Sequence, residues 1–168
     1  MRTRPTTPLA ASARGIAAGL AGTYALDLAQ KAGNKLRGEE TGSEWESWDE
    51  APVPAKIGKR IIEGVFQREV STDKIELVNN AVHWSYGALW GMLYGLVQGS
   101  VRAKPLRLGL VFGAGVWGFS YVALPVAKLY KPIRAYPPKS LALDLSYHLA
   151  YGAAAGATYE ALDRAVTR

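Results

Sequence analysis

Cysteine is absent from this chain of 168 residues, and histidine occurs only twice. Without cysteine there can be no disulfide, no thiolate metal site and no cysteine nucleophile. Acidic residues are missing over most of the length as well: ten of the fourteen Asp and Glu lie between Glu39 and Glu76. The averages of 49% hydrophobic and 20% charged residues therefore conceal long runs with no charge at all. A net charge of +6 could suggest nucleic acid. The bases, however, sit at the ends of apolar runs and in one mixed-charge connection. That is how Lys and Arg flank membrane spans, whereas a nucleic-acid footprint gathers them on one face. Nucleic acid is not an expected partner.

Enzyme signatures are missing too. The sequence holds no P-loop, no H-E-x-x-H and no G-x-S-x-G. Gly113-Ala114-Gly115-Val116-Trp117-Gly118 matches G-x-G-x-x-G in form, but it lies inside a charge-free run rather than after a strand. The chain reads as a non-enzyme. Its first residues, MRTRPTTPLAASARG, are basic, yet only Pro8-Leu9-Ala10 precede the small residues Ala11-Ser12-Ala13. A secretory signal needs a longer apolar core, so this segment reads as a retained flank of cytoplasmic type, with an organelle transit peptide as the lesser alternative.

Four segments are present that could span a bilayer, whose core takes roughly 20 apolar residues at helical rise. Residues 77–97 and 108–127 are runs of 21 and 20 residues without a formal charge, counting histidine as neutral. Residues 141–162 are long enough but include Asp144, His148 and Glu160. Residues 8–29 are rich in Ala and Gly, as closely packed membrane helices often are, and include Arg14 and Asp27. The two charge-free runs lack the polar face that a helix of a soluble globular domain shows at 3.6-residue spacing.

The expected fold is all-α: an integral membrane four-helix bundle in a single domain, 1–168. Short basic connections follow the second and third spans. Pro132, Pro137 and Pro138 would stop the third, and Ser140 could cap the fourth. Residues 30–76 form a longer extramembrane connection. Within it, 54–67 predicts an amphipathic helix with Ile57, Ile61, Ile62, Val65 and Phe66 on one face. Such a helix would lie in the headgroup plane with Trp45 and Trp48 as anchors, or else pack on the bundle as a small extramembrane element. Asp73 and Glu76 have the spacing of a capping box for the second span. Bases number eight on the side of the termini and twelve on the other, so the positive-inside rule does not choose between the two orientations. An even number of spans favours both termini in the cytoplasm.

The strongest internal signal is a repeated skeleton, H-x-x-Y-G-x-x-x-G-x-x-Y. It occurs at His83-Tyr86-Gly87-Gly91-Tyr94 and again at His148-Tyr151-Gly152-Gly156-Tyr159. Asn79 and Asp144 stand four residues before the two histidines and share their faces. Gly15-x3-Gly19 is loosely like Gly109-x3-Gly113. A duplicated helical hairpin, related by a pseudo-twofold axis along the membrane normal, accounts for the pattern. Gly87, Gly91 and Gly95, and likewise Gly152 and Gly156, form bare stripes on which another helix can pack closely, within the chain or in a homo-oligomer.

Asp27, Asn79, His83, Asp144 and His148 fall in one leaflet as a polar intramembrane cluster. Groups of this kind are costly in a membrane and face a bundle interior or a watery cavity. The simplest reading pairs them structurally, Asp144 accepting from His148 and Asn79 serving His83. A pocket handling protons or small solutes is the second reading, since histidine titrates in the physiological range. A bis-histidine haem b is an alternative, with electron transfer as its function. Two histidines and one or two carboxylates are a thin ligand set for any metal ion, so no metal ligands are assigned.

At H-W-x-Y-G-x-x-x-G-x-x-Y-G of the second span and Y-H-L-x-Y-G of the fourth, the chain resembles small four-span bacterial membrane proteins, the YagU-like family of uncharacterised inner-membrane proteins in particular. The likeness covers the last three spans. It implies a multi-pass protein of the bacterial inner membrane without an assigned catalytic residue, and no site is carried over from it. The long Trp- and Glu-rich first connection departs from that layout. The expected function is non-enzymatic, in handling protons or small solutes or in supporting membrane stress tolerance. A structural subunit of a membrane complex is the remaining alternative.

Overall fold

The computed structural model describes residues 7–39 and 45–167. Arg2, Arg4 and the rest of the basic flank before Thr7 lie outside the described residues, as do Glu40, Glu44 and Arg168. Five α-helices account for most of the rest: α1 (Pro8–Arg37), α2 (Val53–Phe66), α3 (Ile75–Ser100), α4 (Pro105–Val126) and α5 (Pro138–Thr167).

Helix boundaries follow local chemistry rather than the edges of the apolar runs. Thr7 caps α1, its hydroxyl accepting the Ala10 N–H at 3.2 Å, and Pro8 takes a first-turn position that needs no N–H. The helix passes Ala29 by two turns, because Gln, Lys, Ala and Leu propagate a helix whatever their polarity. It stops at Gly38, whose φ of 69° is left-handed. α5 begins at Pro138, so Ser140 sits inside its first turn instead of capping it. The expected capping box is absent as well. Thr72–Lys74 forms a 3₁₀ turn, and α3 starts after Lys74 with no side-chain cap. Ser71 spends its hydroxyl on the Asp73 carboxylate.

Glycine decides which long helices meet. α1 runs antiparallel to α3 with Gly15 and Gly19 against Gly87, Gly91 and Gly95, so close that an added Cβ on any of them would overlap the opposing backbone or the Thr23 side chain. α4 runs antiparallel to α5 with Gly109 and Gly113 against His148, Gly152 and Gly156. The two pairs join through α1 and α5, where Gly22 receives the Tyr151 ring. α3 and α4 stand further apart, and aromatic rings fill the space between them. Trp90 meets Phe112 and Phe119 at 5.8 and 5.3 Å, and Tyr94 meets Phe112 at 5.5 Å. One register differs from the sequence alignment. Gly19, not Gly15, has the contacts corresponding to those of Gly109: the first of each pair meets Gly87 and Gly91, the second Gly152 and Gly156. The first helices are offset by one turn. The glycine stripes available for self-association are thus occupied by the chain's own helices.

Buried positions on these helices are mostly Gly, Ala and Tyr, with Leu26, Val78 and Val116 among them, and many exposed positions on α1, α3 and α4 are apolar. Gly, Ala18, Thr23, Tyr94, Tyr151, Ala155 and Tyr159 are buried, while Leu89, Val111, Phe119, Val122 and Val126 face outward, the last 81% exposed. Water-soluble helix groups bury Leu and Ile and expose charge. Among the described residues, Pro105–Val126 is the single helix both long and apolar enough to cross a membrane, where the runs suggest four.

α2 lies on α3 through a different face from the expected one. Gly58 sits against Val78 and Val82, and Ala55 packs with Ala51, Ile75, Trp45 and Trp48. The two tryptophans therefore cover a small satellite core, and the Trp48 indole donates to the Val70 carbonyl at 2.9 Å. Ile61, Val65 and Phe66 are left exposed. A recess of about 480 Å³ opens beside this core between Trp48, Lys59, Glu63 and Arg68. Two of its charges pair with one another. Lys59 binds Glu63 at 2.5 Å, which with the Val70 N–H holds the Glu63 carboxyl below its usual range.

Candidate functional site

Two contacts set the relative height of α3 and α5. The Tyr151 hydroxyl donates to the Gly87 carbonyl at 2.8 Å, and the Tyr94 and Tyr159 rings meet edge to face at 5.7 Å. Tyr94 and Tyr159 are equivalent in the repeated skeleton, and both are buried. Since α3 and α5 run the same way, His83 and His148 then stand level with one another, towards the end that carries the long connection.

Each histidine has a carboxylate close by, by a different route. In the α1–α3 pair, His83 Nε2 lies 2.9 Å from Asp27 Oδ1, an ion pair or hydrogen bond reaching across the helix interface. Both side chains are about a quarter exposed, at 25% and 26%. In the α4–α5 pair, His148 Nδ1 lies 2.9 Å from the backbone carbonyl of Asp144, and the Asp144 carboxylate stands back at 3.7 Å. Tyr121 of α4 donates its hydroxyl to that carboxylate at 3.0 Å. A ring nitrogen facing a carbonyl must be the N–H, so Nε2 of neutral His148 keeps its lone pair.

Of the structural pairing expected from sequence, Asp144 does accept from His148, through its main-chain carbonyl, while the partner of His83 differs. Among the described residues Asn79 makes no hydrogen bond to His83, and its buried Oδ1 has no partner. Asp144 holds His148 through its main chain, because a carboxylate four residues back also has a tyrosine to accept from. Asp27 and Tyr121 are the partners that helix-by-helix reasoning passes over. A signal for the first is present in the sequence: His83 has an amide, not a carboxylate, one turn before it, so its acid has to come from another helix.

Trp90 and Trp117 carry buried indole nitrogens without a partner among the described residues. Such groups call for a polar guest or a water. Tyr121, Tyr130 and Tyr136 cluster at 5.5 to 6.0 Å beyond the Asp144 end. Burial, with Asp144 nearby, pushes the Tyr130 hydroxyl up to about 12, so it stays protonated at physiological pH. At the opposite end Tyr94 donates to the Pro105 carbonyl at 2.8 Å, and Arg14 of α1 pairs with Asp163 of α5.

Among the described residues no contact joins the Asp27–His83 pair to the Asp144–His148 pair, and the free Nε2 of a neutral His148 is the atom open to proton exchange. The arrangement suits a bis-histidine haem poorly, because Asp27 engages the Nε2 of His83. Among the described residues no three His, Cys, Asp or Glu side chains come together as a metal ligand set. No family model, curated protein or solved structure matches this chain.

Proposed function

We propose that the chain is a multi-pass protein of a bacterial inner membrane. In this reading α1, α3, α4 and α5 cross the bilayer as a four-helix bundle of two similar hairpins, and the polar cluster between them handles protons or small solutes without catalysing a reaction. The observation that supports it is the distribution of side chains: mostly Gly, Ala and Tyr at the helix contacts, with exposed Leu and Val along α1, α3 and α4. Lipid supplies no hydrophobic drive between helices, so they associate through close backbone contact and internal hydrogen bonds. The four long helices are built that way. The shared glycine contacts and the level placement of the two histidines favour the duplicated hairpin. The resemblance to YagU-like proteins points in the same direction.

The membrane reading is tested by washing membranes with alkaline carbonate. The protein should remain in the pellet and come out only with detergent; recovery in the wash would refute it. The proton reading needs purified protein in vesicles loaded with a pH-sensitive dye. A pH step across those vesicles should collapse faster than across empty ones, and His148→Gln should abolish the difference. Equal rates with and without protein would leave solute binding or a structural role in a membrane complex.

A further inference from the structure

We infer that the connection between α4 and α5, with the exposed face of α2 beside it, is a docking surface for anionic phospholipid headgroups. The inference rests on the membrane reading above. Residues 128–140 contain Lys128, Lys131, Arg134 and Lys139 and no acid. All four bases are exposed, and among the described residues none enters an ion pair. On the neighbouring connection, which also holds ten acids, several bases are engaged, while Lys31, Lys35, Arg60 and Arg68 enter no ion pair among the described residues. Arg37 holds Glu39, Lys59 holds Glu63, Lys74 holds Asp73, and Lys56 donates to the Asp49 carbonyl. The long connection thus neutralises much of its own charge, and the α4–α5 connection leaves its charge for an external anion.

The segment is also held in shape. The Leu124 carbonyl accepts from both Leu129 and Tyr130, Lys128 takes a left-handed φ of 57°, and the Lys131 N–H reaches the Tyr136 hydroxyl at 3.3 Å. Three prolines and the tyrosine cluster stiffen the remainder. Four cations on a stiff loop lose little freedom when they meet a charged surface.

Depth and neighbouring surface select lipid over a free anion. A helix of 22 residues is about 33 Å long, close to the roughly 30 Å hydrocarbon core. With α4 spanning, exposed Val122 and Val126 lie among acyl chains and Lys128 emerges at the headgroups. Arg60 of α2 donates to the Ala127 carbonyl at 2.6 Å, which brings α2 to the start of the loop. The exposed Ile61, Val65 and Phe66 then offer apolar surface near the bases. A soluble phosphate has no use for that surface; a phospholipid uses both parts.

The test uses the full chain purified in detergent, with thermal unfolding followed as phosphatidylglycerol, phosphatidylcholine or inorganic phosphate is added. Phosphatidylglycerol should raise the midpoint well above the other two, and the excess should shrink as salt is added. Each base near an anionic surface contributes about fivefold in affinity. Lys128→Gln with Lys131→Gln should therefore weaken the phosphatidylglycerol response more than tenfold in concentration, and by more than Arg102→Gln with Lys104→Gln at the opposite end, which lack the apolar face of α2 beside them. An equal response to both lipids, an equal response to phosphate, or an unchanged response in the first variant would overturn the inference. The salt dependence of the unaltered protein decides the matter if that variant fails to fold. Carbonate washing remains independent. A protein that washes off yet still prefers phosphatidylglycerol would lose its spans and keep this surface.

Discussion

Gly91→Ala is expected to lower the unfolding midpoint in detergent sharply, although it adds a single methyl group. An added Cβ at Gly91 would overlap the Gly15 carbonyl oxygen and the Gly19 Cα, both backbone atoms that no rotamer change can move. The α1–α3 interface would have to open along its length. Overpacking of a tight interior costs roughly 1–3 kcal/mol, and separating the helices also forfeits the dispersion contacts that hold them. Gly91→Leu should cost more than alanine at the same position, and Gly156→Leu, facing Pro105 and Leu106, should behave likewise. Gly115→Ala supplies the control. A Cβ there meets nothing within 4 Å, so its midpoint should stay the same or rise slightly with the better helix former. Similar melting curves for Gly91→Ala and Gly115→Ala would mean the two helices do not touch at their glycines.

These glycines are legible in the sequence because spacing of four within a largely apolar helix has few other uses. Gly87, Gly91, Gly95, Gly152 and Gly156 all lie at helix contacts. Which helix they contact is not legible. One bare stripe fits another equally well within the chain or between chains, and the one-turn offset of Gly19 relative to Gly109 comes from packing that a linear alignment does not contain. The contact face of α2 escapes the sequence for a related reason. Periodicity identifies Ile57, Ile61, Ile62, Val65 and Phe66 as the apolar side, but α3 meets the small residues Ala55 and Gly58, which allow closer approach. Hydropathy marks what avoids water, and size marks what fits. In a chain with many exposed apolar positions the two point to different faces.

The polar cluster divides along the same line. Its members are legible as costly groups in apolar surroundings, and their level placement follows from the repeated skeleton. Their partners depend on how far α1 slides along α3, which brings Asp27 to His83 and leaves the Asn79 Oδ1 without a partner among the described residues. That slide is fixed by the glycine contacts, so the packing of backbones determines which acid reaches which base.

A double-mutant cycle on Asp27 and His83 should therefore give a large coupling energy, and one on Asp144 and His148 a small one. The first pair joins two helices at 2.9 Å in partly buried surroundings, where a hydrogen bond to a charged group contributes roughly 1.5–3 kcal/mol. Exposure of about a quarter at each side chain puts the expectation near the lower end of that range. The second pair shares one helix, and its carboxylate stands 3.7 Å away with Tyr121 already donating to it. Its coupling should stay within about 0.5 kcal/mol, like an ordinary helical i,i+4 pair. Unfolding of Asp27→Ala, His83→Ala and the double variant in one detergent measures the first coupling directly. Asp27→Asn separates charge from shape, because an amide oxygen can still accept from a neutral imidazole. Recovery of most of the lost stability by Asn would show that His83 is neutral and serves to hold α1 against α3. Failure of Asn to recover it would show a charged pair between the helices. A coupling of zero for Asp27 and His83 would mean that the glycines alone set the position of α1.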